Sequence, residues 1–370
     1  MNEKQLTRIK ISGYKSIKEC DLEIGKTNIL IGANGAGKSN FIGFLKMVNA
    51  MLYKPDNVKT YFQLAIALSG GPDALLRYGR KVTEQINGEL YFGNNGYKFE
   101  LCPTQNNKMV FAKECAYWNI GGDYSCGSGH EESKIEEHES NNGVYKYAFN
   151  AMRAWQPYHF HDTGIKAAVK QPSYLRDDKF LRLDASNLAS FLMSLNKKHK
   201  KSYDKIVEVV RLVVPFFGNF TFSSLGENII LNWFERGKDF PMSIHALSDG
   251  TLRFICLAIV FLQPEEFQPE TIIIDEPELG LHPYALNILA ELIKASKKQV
   301  IAATQSSNLI SQFDPEDLII ADRKNDETAF RRLPDKSEEG GLSKEDLDRW
   351  LEEYTLGELW EKDIFGGMPQ

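Results

Sequence analysis

Residues 6–12 (Leu6-Thr7-Arg8-Ile9-Lys10-Ile11-Ser12) alternate apolar and polar, as a half-buried strand does. Gly13-Tyr14-Lys15-Ser16-Ile17 turns the chain into a second alternating run, Cys20-Asp21-Leu22-Glu23-Ile24, so the two predict an antiparallel flap. Thr27–Ile31 is a short apolar run that reads as a buried strand. From Asn40 the period changes to that of a helix, which continues to about Tyr53 and breaks at Pro55-Asp56-Asn57. A second helix is expected over 60–68, stopped by Gly70-Gly71-Pro72. Residues 81–118 alternate in three short runs, with Asn94-Asn95-Gly96 and Gln105-Asn106-Asn107 where hairpin turns belong, and predict an antiparallel meander. Gly121–Gly143 is polar and reads as a mobile loop. Its His130 and His138 stand among carboxylates, and a solvated loop is preferred there over a metal site. Helices follow at 185–196 and 201–213, the first opened by Asp184-Ala185-Ser186-Asn187-Leu188, which is good capping chemistry. Phe220–Phe222 and Ile229–Phe234 predict a hairpin. Phe254–Leu262 is the longest apolar run, half of a bilayer span, and reads as a buried helix.

Composition narrows the setting. The chain has 370 residues, 42 % hydrophobic, enough for one large or two modest domains, and a formal net charge of −6. That balance argues against coating nucleic acid by bulk charge but leaves room for a local basic patch. Lys197-Lys198-His199-Lys200-Lys201 is one candidate for a phosphate-backbone contact, against the plainer reading of a soluble helix end. Five cysteines without a C-x-x-C pair, and a polar start at Asn2-Glu3-Lys4-Gln5, predict a reduced cytoplasmic protein with no membrane association.

The chemistry gathers at two places. Gly32-Ala33-Asn34-Gly35-Ala36-Gly37-Lys38-Ser39 fits G-x-x-x-x-G-K-[ST] between a strand and a helix. Its glycines let backbone N–H groups turn inward around an anion, and the following helix N-terminus aims its positive end at the same point. Asn34, Gly35, Ala36, Gly37, Lys38, Ser39 and Asn40 are therefore the expected phosphate-binding set. Lys38 reaches the β- and γ-phosphates, and the Ser39 hydroxyl takes one position on Mg²⁺. Far downstream, Thr271-Ile272-Ile273-Ile274-Asp275-Glu276-Pro277 is an apolar strand ending in two acids, the Walker B pattern. Asp275 is expected to hold Mg²⁺ through water, and Glu276 to polarise an attacking water.

Leu247-Ser248-Asp249-Gly250-Thr251-Leu252-Arg253 resembles the signature motif of ABC-type ATPases. Glu278-Leu279-Gly280-Leu281-His282-Pro283 resembles their D-loop, and Ala303-Thr304-Gln305-Ser306-Ser307 their switch. With the starting Ile9–Ile17 segment, His159-Phe160-His161-Asp162-Thr163 and the tail Leu356–Trp360, the chain resembles the RecF/SMC/OLD branch, close to its stand-alone bacterial ATPases associated with phage defence. The resemblance implies an α/β fold: an ABC-type (RecF/SMC-like) P-loop ATPase head with an antiparallel β flap. A lobe of helices and hairpins would be inserted between Walker A and signature. The implied division is a head of residues 1–80 and 215–335, a lobe of 81–214 and a helical tail of 336–370. Implied cofactors are ATP and Mg²⁺, with Glu276 and Gln305 catalytic and Ser248, Asp249 and Gly250 reaching the nucleotide of a second copy in a head-to-tail homodimer. The lack of a long heptad run between Ser39 and Leu247 argues against a coiled-coil arm.

Two departures stand out. Asp249 and Thr251 occupy positions where transporters carry Gly and Gln, and the switch residue is Gln305 rather than His. Glutamine hydrogen-bonds but carries no proton at neutral pH, which fits slow, switch-like hydrolysis. Gln156, His161 and Gln171 are all candidates for the Q-loop. Asp346-Leu347-Asp348 mimics a two-acid metal motif, but Ser343-Lys344-Glu345-Asp346 reads as a helix cap. The resemblance allows control of a separately encoded, nuclease-like effector. A RecF-like DNA-repair role that binds DNA is the alternative, and a transporter subunit the least favoured reading.

Overall fold

The computed structural model describes residues 4–52, 60–138, 140, 143–333 and 343–366. The helix end and break expected at Tyr53–Asn57 lie outside them. The chain forms two compact units, one of Met1–Pro157, Glu270–Ile273 and Gln299–Gln370, the other of Tyr158–Pro269 and Ile274–Lys298.

In the first unit β1 (Arg8–Tyr14) and β2 (Ile17–Glu23) make the expected flap, with Ile11 opposite Cys20. The buried strand β3 (Thr27–Ile31) leads into α1 (Lys38–Leu52), and α2 (Tyr61–Leu68) ends before a single turn, α3 (Pro72–Leu75). The meander consists of β4 (Ile86–Phe92), β5 (Asn95–Pro103) and β6 (Met109–Trp118). It is not a separate lobe. β4 pairs with β1, Ile9 opposite Leu90 and Ile11 opposite Gly88, so flap and meander share one antiparallel sheet. That pairing satisfies the second edge of β1, whose N–H and C=O groups need partners once its Ile9 and Ile11 faces are buried. The sheet runs β2-β1-β4-β5-β6 and ends on β7 (Gly122–Gly127).

β7 corrects the mobile loop expected from Gly121. Its Cys126 is buried and Tyr124 packs edge-on to Tyr145, while the alternate residues face water. A wet edge strand has few apolar positions, so its alternation is faint. Both histidines of that stretch are also placed by packing. His130 stacks on Phe111 at 5.0 Å with Nδ1 2.8 Å from the Glu132 carbonyl oxygen, and His138 stacks on Tyr145 at 5.2 Å. α4 (Gly143–Arg153) and β8 (Trp155–Tyr158) follow. The apolar face of α1 meets the sheet in the core: Phe44 stacks on Phe99 at 6.0 Å and takes the edge of Tyr14 at 5.4 Å.

The second unit opens with β9 (Ser173–Tyr174), α5 (Leu188–Lys198) and α6 (Lys200–Val213). Asn187 does not cap α5 through its side chain. Its Oδ1 accepts from the Arg182 N–H and its Nδ2 donates to the carbonyls of Asp177 and Phe180, which closes the loop before the helix instead. β10 (Phe217–Leu225) and β11 (Asn228–Glu235) form the expected hairpin, extended by β12 (Met242–Ser243) and by β9. α7 (Asp249–Leu262) is buried along its whole length from Leu252. β13 (Thr271–Asp275) begins in the first unit and ends in this one, which α8 (Pro283–Ala295), capped by the His282 ring, completes.

The chain then returns to the first unit with β14 (Gln299–Ala303), α9 (Ser307–Ile310), the hairpin β15 (Leu318–Lys324) and β16 (Glu327–Arg332), and the tail helices α10 (Lys344–Leu351) and α11 (Leu356–Glu361). A second six-stranded sheet runs β16-β15-β3-β14-β13-β8. β3 lies parallel to both neighbours, Thr27 opposite Val300 and Ile29 opposite Leu318, which is why Ile29, Leu30 and Ile31 are apolar in succession rather than alternating. Among the described residues no helix is long and apolar enough to cross a membrane.

Candidate nucleotide site

The phosphate loop joins β3 to α1, and α1 carries no acid in its first turn to oppose an anion. Lys38 is buried, and its Nζ donates to the carbonyls of Gly32 at 2.6 Å and Ala33 at 3.0 Å. It is thus curled over the mouth of its own loop. Asn34, Gly35 and Ser39 are exposed, Ala36 and Gly37 buried. Gly37 has φ 112, and a Cβ there would overlap the Thr328 hydroxyl. That hydroxyl ends a relay. Asn40 Nδ2 donates to Ser16 Oγ at 2.7 Å, Ser16 lies 2.7 Å from Thr328 Oγ1, and Thr328 donates to the Ala36 carbonyl at 2.9 Å. The β1–β2 turn and the far hairpin β15–β16 therefore clamp the loop from outside, leaving the Gly35 side open. Gln305 belongs to the same unit. It follows β14, and the next residue back, Thr304, donates its N–H to the Leu30 carbonyl at 2.9 Å, which sets the end of β14 beside the start of the loop.

The second unit carries the signature and the acids. Ser248 caps α7: its Oγ accepts from the Thr251 N–H at 3.2 Å and donates to Thr251 Oγ1 at 2.9 Å. Thr251 thus has a structural use where the transporter pattern has Gln. A Cβ on Gly250 would overlap the Gly280 carbonyl, so only glycine lets the signature backbone lie against the D-loop. Arg253 secures that approach from one turn further on. Buried, it donates to the carbonyls of Phe160 and His161, each at 2.8 Å, and to that of Leu279. Asp249 faces outward and accepts from the buried Lys170 at 3.1 Å, and this bond holds the Asp249 carboxyl below its usual range. Asp275 ends β13, and its main-chain carbonyl oxygen lies 2.9 Å from His161 Nε2. Glu276 has φ 45, the left-handed region, which for a residue with a Cβ costs on the order of 1–3 kcal/mol and persists only where the surroundings impose it.

Residues 131–311 match the family model described as "AAA domain, putative AbiEii toxin, Type IV TA system". Among solved structures the chain is similar to an SMC head bound to the C-terminal winged-helix domain of ScpA. The identity is 14 %, over 89 % of this chain and 97 % of that one, with a TM-score of 0.50. It is also similar to an SMC head with an extended coiled coil bound to the C-terminal domain of ScpA, derived from Pyrococcus furiosus. There the identity is 14 %, over 94 % and 98 % of the two chains, with a TM-score of 0.53. The chain has the fold of an SMC head domain. No curated protein matches it. The expected fold class holds, and between Ser39 and Leu247 the described helices of this head reach at most the 15 residues of α1, too short for an arm.

Three residues outside the expected site emerge from the geometry. Thr328 has no motif around it and is found only through the register of β16. Arg253 lies inside the signature run but shows its use only once its carbonyl partners are known. Lys170 answers the question raised by Asp249. Of the Q-loop candidates, His161 reaches the main chain of Asp275, whereas the Gln171 amide donates to the Ile165 carbonyl within its own loop. The Asp346 N–H is bonded to Ser343 Oγ at 3.1 Å and Asp348 is exposed, so α10 takes the cap expected for it.

Proposed function

We propose that this head binds and hydrolyses ATP with Mg²⁺ and works as a dimeric switch, two copies closing head to tail on two nucleotides. The observation that carries the reading is Lys38, buried and bent onto the Gly32 and Ala33 carbonyls at the first turn of α1. Phosphate oxygens are stronger acceptors for that ammonium than the Gly32 and Ala33 carbonyls to which it donates. Asn34 to Asn40 would cradle the phosphates, while Ser39 and Asp275 would hold Mg²⁺. The metal, when bound, offsets the charge that develops on the phosphate oxygens. Glu276 would align and deprotonate the attacking water, and Gln305 would hydrogen-bond the γ-phosphate or that water. Ser248, turning its hydroxyl from Thr251 while still accepting the Thr251 N–H, would donate with the Gly250 N–H to the nucleotide of the other copy. His161 fits the Q-loop role through its bond to the Asp275 main chain. Bound ATP then holds the dimer and hydrolysis releases it, a change that a separately encoded effector, nuclease-like and acting in anti-phage defence, would read.

The test is Glu276→Gln with saturating ATP and Mg²⁺. The variant should bind ATP, hydrolyse it at a small fraction of the parent rate and elute as a dimer in light scattering. A variant that binds ATP yet stays monomeric removes the sandwich.

A further inference from the structure

Asp249 stands between Ser248 and Gly250, the two residues expected to donate to a triphosphate, and a carboxylate there repels that ligand. It serves α7 well enough alone, because an acid in the first turn of a helix is favourable without any partner. Burying a lysine beside it is a different matter. The Lys170 side chain is 6 % exposed and the Asp249 side chain 60 % exposed, so the lysine surrenders nearly all its water to reach an acid that keeps most of its own. Helix capping does not call for that arrangement. We propose that Lys170 is a positioning residue of the nucleotide site: its ammonium, 3.1 Å from Asp249 Oδ1, cancels the acid's charge so that the signature of one copy can accept the triphosphate of the other. This rests on the sandwich reading above.

The asymmetry of the pair separates this role from simple packing. Lys170→Met leaves Asp249 charged at a helix N-terminus, which the fold tolerates but a triphosphate does not. Asp249→Asn leaves the buried ammonium without its carboxylate, which harms the fold and not the anion site. The experiment uses the full chain in the Glu276→Gln background, with ATP and Mg²⁺, and follows dimer formation by sedimentation. Adding Lys170→Met should raise the ATP concentration needed for dimer roughly tenfold, a change in free energy of about 1.4 kcal/mol. The loss should shrink at high salt, be spared by Lys170→Arg, and be reversed by adding Asp249→Asn. Melting temperature should fall for Asp249→Asn alone and hold for Lys170→Met. If Lys170→Met dimerises like its parent, or is not rescued by Asp249→Asn, or does not fold, the lysine has no part in the nucleotide site. If the Glu276→Gln parent itself stays monomeric, the sandwich reading fails and this inference with it.

Discussion

Thr328 is a single hydroxyl on which the shape of the phosphate loop depends. It supplies the Ala36 carbonyl, receives Ser16 and excludes any side chain from position 37. Thr328→Val keeps the volume and removes the oxygen, stranding the Ala36 carbonyl in a buried place. The variant should lose about 1–2 kcal/mol of stability in chemical denaturation and bind ATP several-fold more weakly by calorimetry. Gly37→Ala should do more harm to ATP binding, since the new methyl meets both a left-handed backbone and Thr328. If Thr328→Val binds ATP with parental affinity, the relay does not shape the loop. At this scale the sequence is legible where a motif concentrates the chemistry, as from Gly32 to Ser39. It is silent where a partner arrives from elsewhere in the fold. Thr328 lies 292 positions from Ala36, and nothing next to it hints at the meeting.

Among the elements, α7 owes its placement to Arg253 as much as to its apolar length. A guanidinium can serve the Phe160, His161 and Leu279 carbonyls at once because its donors fan out in a plane. Lysine cannot reproduce that fork, so Arg253→Lys should cost about 2 kcal/mol. Hydrogen exchange should quicken at Gly250, Gly280 and residues 160–163, while β1–β7 keep the parent's protection. Uniform quickening across both units would deny Arg253 this local task. Gly250→Ala should produce the same local loosening by pushing the signature off the D-loop. α1 is readable from sequence because one buried face fixes its period, and α7 and β13 because they are apolar almost throughout and buried on every side. β7 was hidden because an edge strand needs so few apolar residues. The capping chemistry expected at Asp184–Leu188 misleads because Asn187 directs its amide to the preceding loop instead.

For the molecule as a whole, a site shared between copies makes a prediction that no single-chain site can. Lys38→Ala removes the phosphate half and Ser248→Arg the signature half. Mixed, the two variants should recover ATPase activity that neither has alone, because one of the two composite sites in each mixed dimer is intact. A mixture as inactive as its components contradicts sharing. The same scale bears on DNA. Net charge is −6, and within the lysine cluster Lys198 pairs with Asp178 and Lys200 with Asp204. Neutralising Lys197 and Lys201 should therefore leave any salt-sensitive DNA binding unchanged in filter assays, and a marked loss would favour the repair reading. The motifs made the two chemical halves legible, but not the division of the chain, since the pairing of β4 with β1 leaves no mark in either strand.

The placement of β3 has a consequence for how the molecule comes into being. β1, β2 and β4–β7 find their partners locally and can assemble while the ribosome is still at work. β3 cannot. The Val300 carbonyl that receives the Asn28 amide is translated 272 residues later, and the β15 and β16 that flank and clamp the loop later still. The strand must wait through the synthesis of 272 further residues before the phosphate loop can take its working form. A nascent head is thus exposed to aggregation longer than its helix-rich parts suggest, and chaperone capture of stalled chains should end only once translation has passed β15.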